Sequence, residues 1–133
     1  MEATLPTELL VLGLSVVLLL VHNFAQGWSA TRDTSPEYNM GPRDEAAPRS
    51  VLTGRLDRAK WNFLETYPAF AGLALALVAS GQAGGWAAVG AWVWLAGRII
   101  YLPLYAAGVP VIRSLVFGVS LVGLLMMLGQ LLF

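Results

Sequence analysis

"RAKWNFLETYPAFAGLALALVAS", residues 58–80, decides the fold. Its first part concentrates Arg58, Lys60, Asn62 and Glu65, and from Thr66 onward it carries no charge at all. A helix needs about 20 apolar residues to cross the hydrocarbon of a bilayer. The charge-free run containing this segment extends over residues 66–97. That is too long for one span, and "SGQAGGW" (Ser80–Trp86) interrupts it with a turn signal. Two further charge-free runs cover residues 9–31 and 114–133. The pattern predicts four membrane helices at about 7–27, 59–80, 86–107 and 112–132, in a single domain spanning 1–133, with a connecting loop at about 28–50. Helices are expected because lipid offers no partner to a free backbone polar group. A membrane β-barrel needs alternating segments, and "VVLLLV" (Val16–Val21) does not alternate.

Composition agrees. The chain of 133 residues is 57% hydrophobic and 12% charged, whereas soluble domains are about one quarter charged. The net charge of zero argues against a nucleic-acid partner. With no cysteine, the protein has no thiol chemistry or disulfide of its own. The opening "MEATLPTELL" has two Glu and no Lys or Arg, unlike the n-region of a signal peptide, so the first span is expected to be retained.

Basic residues set the expected orientation. Arg32, Arg43, Arg49, Arg55, Arg58 and Lys60 lie between the first two spans, and Arg98 and Arg113 flank the last turn. Both connections are therefore expected in the cytoplasm, with the termini outside. The first loop is rich in Pro, Gly, Ser and Asp, "MGPRDEAAP" (Met40–Pro48) reads as a turn, and Ser50 or Thr53 is a candidate N-cap for the second membrane helix.

Arg58, Asn62 and Glu65 are spaced i, i+4, i+7 and share one stripe of that helix. The stripe continues through Ala69, Gly72, Ala76 and Ser80, a small-residue seam suited to close helix approach, so it is expected to face protein. Lys60 and Trp61 point elsewhere and read as interface anchors. Arg98, Tyr101 and Tyr105 form a second stripe, and Arg113–Ser114 opens the last helix, where free N–H groups favour an anion. Ionisable groups within membrane helices are costly and mark paired or functional sites, which predicts an Arg98–Glu65 or Arg58–Glu65 pair. Trp28, Trp86, Trp92 and Trp94 fit an interfacial belt. His22 stands alone, without the further ligands a metal site needs. Five cations (Arg55, Arg58, Lys60, Arg98, Arg113) face two acids (Asp57, Glu65) at one end of the spans, which describes a membrane-embedded pocket for an anionic ligand such as a small peptide with carboxylates or a lipid headgroup.

These residues resemble a known family. Arg58-x-x-x-Asn62-x-x-Glu65 with Pro68 and Phe70, followed by Arg98, Tyr101, Tyr105 and Arg113–Ser114, is similar to the second, third and fourth helices of the MAPEG proteins, the membrane-associated proteins of eicosanoid and glutathione metabolism. "YNMGPRDE" (Tyr38–Glu45) resembles the first loop of bacterial members. The resemblance implies an all-α, four-helix membrane bundle assembling as a homotrimer, here in a bacterial inner membrane. It implies glutathione as cosubstrate between subunits, bound by Arg58, Asn62, Glu65, Arg98, Tyr101, Tyr105 and Arg113. Arg113 would stabilise the thiolate, with Ser114 and Tyr105 as further catalytic candidates and Arg43 reaching a neighbouring site. The substrate would be a lipophilic electrophile from the bilayer. Two departures bear on substrate: Thr66 stands where eicosanoid-making members often have Tyr, and Tyr101 where some have His. The alternatives are a non-catalytic member binding lipid or an accessory partner through the same pocket, and a transport role, which lacks an inverted repeat.

Overall fold

A computed structural model of the chain describes residues 4–133. Among these, every regular element is helical: α1 (Thr7–Asp33), α2 (Pro36–Met40), α3 (Val51–Ala79), α4 (Gly85–Ala106) and α5 (Pro110–Leu132). Four of them, all but α2, are long and apolar enough to cross a membrane. The four expected spans are thus present, and the first two run on beyond the apolar segment at the end that carries the long loop.

Those extensions have local causes. Ser50 is the N-cap of α3 and accepts a hydrogen bond from the Thr53 backbone N–H at 3.2 Å, which starts the helix a full two turns before Ala59. Ser35 caps α2 in the same way, with Pro36 at the first helical position, where a missing N–H costs nothing. This short helix was not expected, although Ser-Pro-Glu is a legible start signal. Asp33 ties the two extensions together: its Oδ2 accepts from the Ser50 N–H at 2.8 Å and Oγ at 3.0 Å, and from Thr53 Oγ1 at 2.5 Å. Behind it, Ser29 and Thr53 share a hydrogen bond of 2.6 Å between buried hydroxyls. The loop is thereby held against the bundle, with the Tyr38 hydroxyl donating to the Glu45 carbonyl and Asn39 to Thr31.

The tightest helix pair is α4 with α5, followed by α1 with α3; α3 also touches α4 and α5. The α4–α5 approach rests on missing side chains. A Cβ on Gly123 would lie 2.5 Å from the Gly90 carbonyl oxygen and 2.6 Å from the Trp94 nitrogen. One on Gly97 would lie 3.0 Å from the Ser120 Cβ. Without a hydrophobic drive between helices in lipid, such backbone contact and the dispersion it brings carry the association. The seam expected on α3 behaves differently: Ala69, Gly72 and Ser80 are exposed on the single chain, and a Cβ on Gly72 would meet nothing within 4 Å.

The core is aromatic at its centre. Trp94 is fully buried and stacks on Phe70 at 3.9 Å between ring centroids, so it belongs to the core and not to the expected belt. Trp28, Trp86 and Trp92 are exposed. His22 is buried and stacks on Phe63 at 4.9 Å, the place of a packing residue. At the opposite end from the long loop, buried Glu8 accepts from the Gly84 N–H at 2.7 Å, and Gln130 accepts from Ala87 while donating to the Gln82 and Gly84 carbonyls. Glu8 thus supplies a polar clamp at the start of α4.

Candidate functional site

A cavity of about 460 Å³ opens where α3, α4 and α5 meet near the long-loop end. Arg58, Trp61, Asn62 and Glu65 line it from α3, Tyr101 and Tyr105 from α4, and Arg113, Ser114 and Phe117 from α5. The helical spacings explain this convergence. On α3 the side chains recur every three to four residues, so Arg58, Trp61, Asn62 and Glu65 fall on one face. On α4 and α5 the pairs Tyr101–Tyr105 and Arg113–Phe117 are each one turn apart.

Tyr105 is the centre of the arrangement. The Arg58 Nε–H donates to its hydroxyl at 3.1 Å, and the Arg113 guanidinium lies 4.4 Å above its ring. The phenol thus holds two cations from two different helices beside one open space, through a hydrogen bond on one side and a cation–π contact on the other. Tyr101 packs on Tyr105 at 5.6 Å and on Phe117 at 6.1 Å, forming an aromatic wall.

Seven of the eight expected site residues line this cavity; Arg98 does not. It is fully buried behind it, where Nη1 donates to Asn62 Oδ1 at 2.7 Å and the guanidinium lies 4.4 Å from the Tyr101 ring centroid. The expected Arg98–Glu65 or Arg58–Glu65 pair does not form. Among the described residues the ion pairs are Arg49–Asp57 at 3.5 Å and Lys60–Asp57 at 3.8 Å, and Glu65 is left exposed to the cavity without a cationic partner. Arg58 and Arg98 meet the Tyr105 hydroxyl and the Tyr101 ring where an ion pair with a carboxylate was expected.

The charge balance is also more selective than the sequence count. Lys60 goes to Asp57. Arg55 turns to the end of α4, where Nη1 reaches the Ala106 carbonyl at 3.4 Å and the guanidinium lies against Gly108, itself at φ +76°. Arg43 folds back on the Asn39 carbonyl at 2.7 Å and so stays within its own loop. What faces the cavity is Arg58 and Arg113 against Glu65. Trp61, expected to point away, contributes to the rim, as does Phe117; its spacing of four from Arg113 was the available signal. Among the described residues no cluster of His, Cys, Asp and Glu could hold a metal ion.

Four membrane-length helices and a mixed-charge, aromatic-walled cavity between three of them define an integral membrane protein with a polar site built inside the bundle. The MAPEG family model matches residues 8–133, nearly the whole chain, and the protein belongs to the MAPEG family. Comparison with curated proteins finds no match.

Proposed function

We propose that this MAPEG protein is a glutathione-dependent transferase or peroxidase acting on lipophilic electrophiles, working as a homotrimer with the long loop on the cytoplasmic side of a bacterial inner membrane. The observation that carries the reading is the pair of guanidinium groups held by Tyr105 beside an unpaired carboxylate: Arg58 and Arg113 on one side and Glu65 on the other. Glutathione has two carboxylates, one ammonium and one thiol. Arg58 suits a carboxylate, which a guanidinium binds with two parallel hydrogen bonds, and Glu65 suits the ammonium. The cavity volume lies within the roughly 300–1,000 Å³ range of small-ligand sites.

Bound there, glutathione supplies a nucleophilic thiolate. The part of the protein is to favour the charged sulfur, and a guanidinium within about 4–6 Å lowers the pKa of an acidic group by about one to three units. Arg113 is the group placed for this, with the Ser114 hydroxyl next to it at the start of α5. Trp61 and Phe117 give the cavity an apolar margin against which a lipophilic substrate can lie. The exposed Ala69–Gly72 seam, continuous with the Arg58–Glu65 stripe, supports subunit packing that would close the site from the lipid.

The test is difference absorbance of the purified protein with glutathione. A thiolate band is expected, together with conjugation of a model electrophile. Arg113→Ala should reduce the thiolate fraction at neutral pH by about 8- to 30-fold, because a thiol returned to a pKa of about 8.5 is still about 3% ionised at pH 7. Absence of any glutathione binding at millimolar concentration refutes the reading and leaves the non-catalytic alternative.

A further inference from the structure

Arg98 is a buried cation that meets only one hydrogen-bond acceptor. It is fully buried, its Nε and Nη2 have no partner, and its single hydrogen bond goes to Asn62 Oδ1 at 2.7 Å. Around the guanidinium stand the rings of Phe63, Tyr101 and Phe117 at 5.5, 4.4 and 5.7 Å. A guanidinium has donors only. The atom of Asn62 that faces it must therefore be the carbonyl oxygen, so the amide cannot be flipped. That fixes the other end: the Asn62 –NH2 is directed away from Arg98, on a side chain that lines the cavity, and it makes no hydrogen bond to another described residue.

We propose that Arg98 is a positioning residue. It holds Asn62 so that the cavity receives a fixed hydrogen-bond donor, and the ligand must present an acceptor there, a carboxylate or amide carbonyl oxygen. This rests on the glutathione reading for the identity of the ligand, not for the Arg98–Asn62 device itself. Arg98 never reaches the ligand; it acts through the polarity of the amide and by its stacking on Tyr101. The cation is retained in an apolar setting although a buried charge lacking a counter-ion is costly, and a neutral partner there would leave the amide free to turn.

The experiment uses the full chain in detergent micelles and the substitution Asn62→Asp, singly and in an Arg98→Met background. A carboxylate in place of the amide gives Arg98 its missing anion and takes the donor from the cavity. In the otherwise native chain Asn62→Asp is expected to raise the thermal midpoint while weakening glutathione affinity by about tenfold or more, the value of one charge-assisted hydrogen bond. In the Arg98→Met background the same substitution should no longer raise the midpoint. Arg98→Met should fold, since an apolar side chain replaces a cation that has no counter-ion, and should itself weaken glutathione binding, whereas Arg98→Lys, which keeps a charged donor, restores most of it. A midpoint that falls on Asn62→Asp, or changes equally in both backgrounds, overturns the Arg98–Asn62 device. Unchanged glutathione affinity overturns the donor assignment. If the native chain binds no glutathione, the functional reading fails, and the midpoints in the two backgrounds still decide the role of Arg98.

Discussion

Gly123→Ala isolates the close backbone contact between α4 and α5. The added Cβ would stand 2.5 Å from the Gly90 carbonyl oxygen, 2.6 Å from the Trp94 nitrogen and 3.1 Å from the Trp94 Cα, all backbone atoms that no rotamer change can move. Ordinary contact begins near 3.4 Å, so α4 and α5 must separate by roughly 0.9 Å at this point, the difference between 3.4 and 2.5 Å. A gap of about 0.5–1 Å already forfeits a quarter to a half of each dispersion contact, and overpacking of this kind typically costs about 1–3 kcal/mol. Alanine returns up to about 1 kcal/mol through its helix propensity, which leaves a net loss of up to about 2 kcal/mol. Gly118→Ala on the same helix is the control, because its Cβ meets nothing within 4 Å and it should gain up to about 1 kcal/mol. Thermal or denaturant unfolding in detergent, followed by tryptophan fluorescence, should separate the two variants by about 1–3 kcal/mol, the overpacking cost alone, since the propensity gain is common to both. Tyr101 and Tyr105 ride on α4 and Arg113 and Phe117 on α5, so Gly123→Ala should also weaken ligand binding. Equal midpoints for the two variants would show that α4 and α5 do not meet at Gly90 and Gly123.

Two other outcomes follow from the contacts at the long-loop end. Gly108→Ala combines a positive φ of +76° with a Cβ placed 2.6 Å from the Arg55 guanidinium; it should destabilise the α4–α5 turn by about 1–3 kcal/mol and displace Arg113, read as lowered stability together with weaker glutathione binding. Asp33→Ala removes the acceptor shared by Ser50 and Thr53, so trypsin should cut faster at Arg43 and Arg49 while the membrane helices keep their helical circular dichroism; unchanged cleavage would mean the loop is held by other contacts.

The sequence by itself determined the four helices and most of the cavity. Charge-free runs fix span number because bilayer thickness fixes helix length. The i, i+4, i+7 spacing of Arg58, Asn62 and Glu65 fixes a shared face because it is a property of one helix alone. Tertiary structure decided how those faces are turned toward each other. Arg98 shares a stripe with Tyr101 and Tyr105, yet it lies behind the cavity wall while they form it, because the rotation of α4 against α3 places it on Asn62. Trp94 and Trp92 look alike in sequence; one stacks on Phe70 in the core and the other is exposed. The closest helix approach uses Gly90 and Gly123 on α4 and α5, while the small-residue seam of α3 stays open. Arg55 and Lys60, counted with the site cations, are claimed by the end of α4 and by Asp57. Periodicity is local and can be read along one chain segment, whereas helix rotation and the choice of neighbour depend on which surfaces fit together across the bundle, and that fit exists only once all four helices are in place.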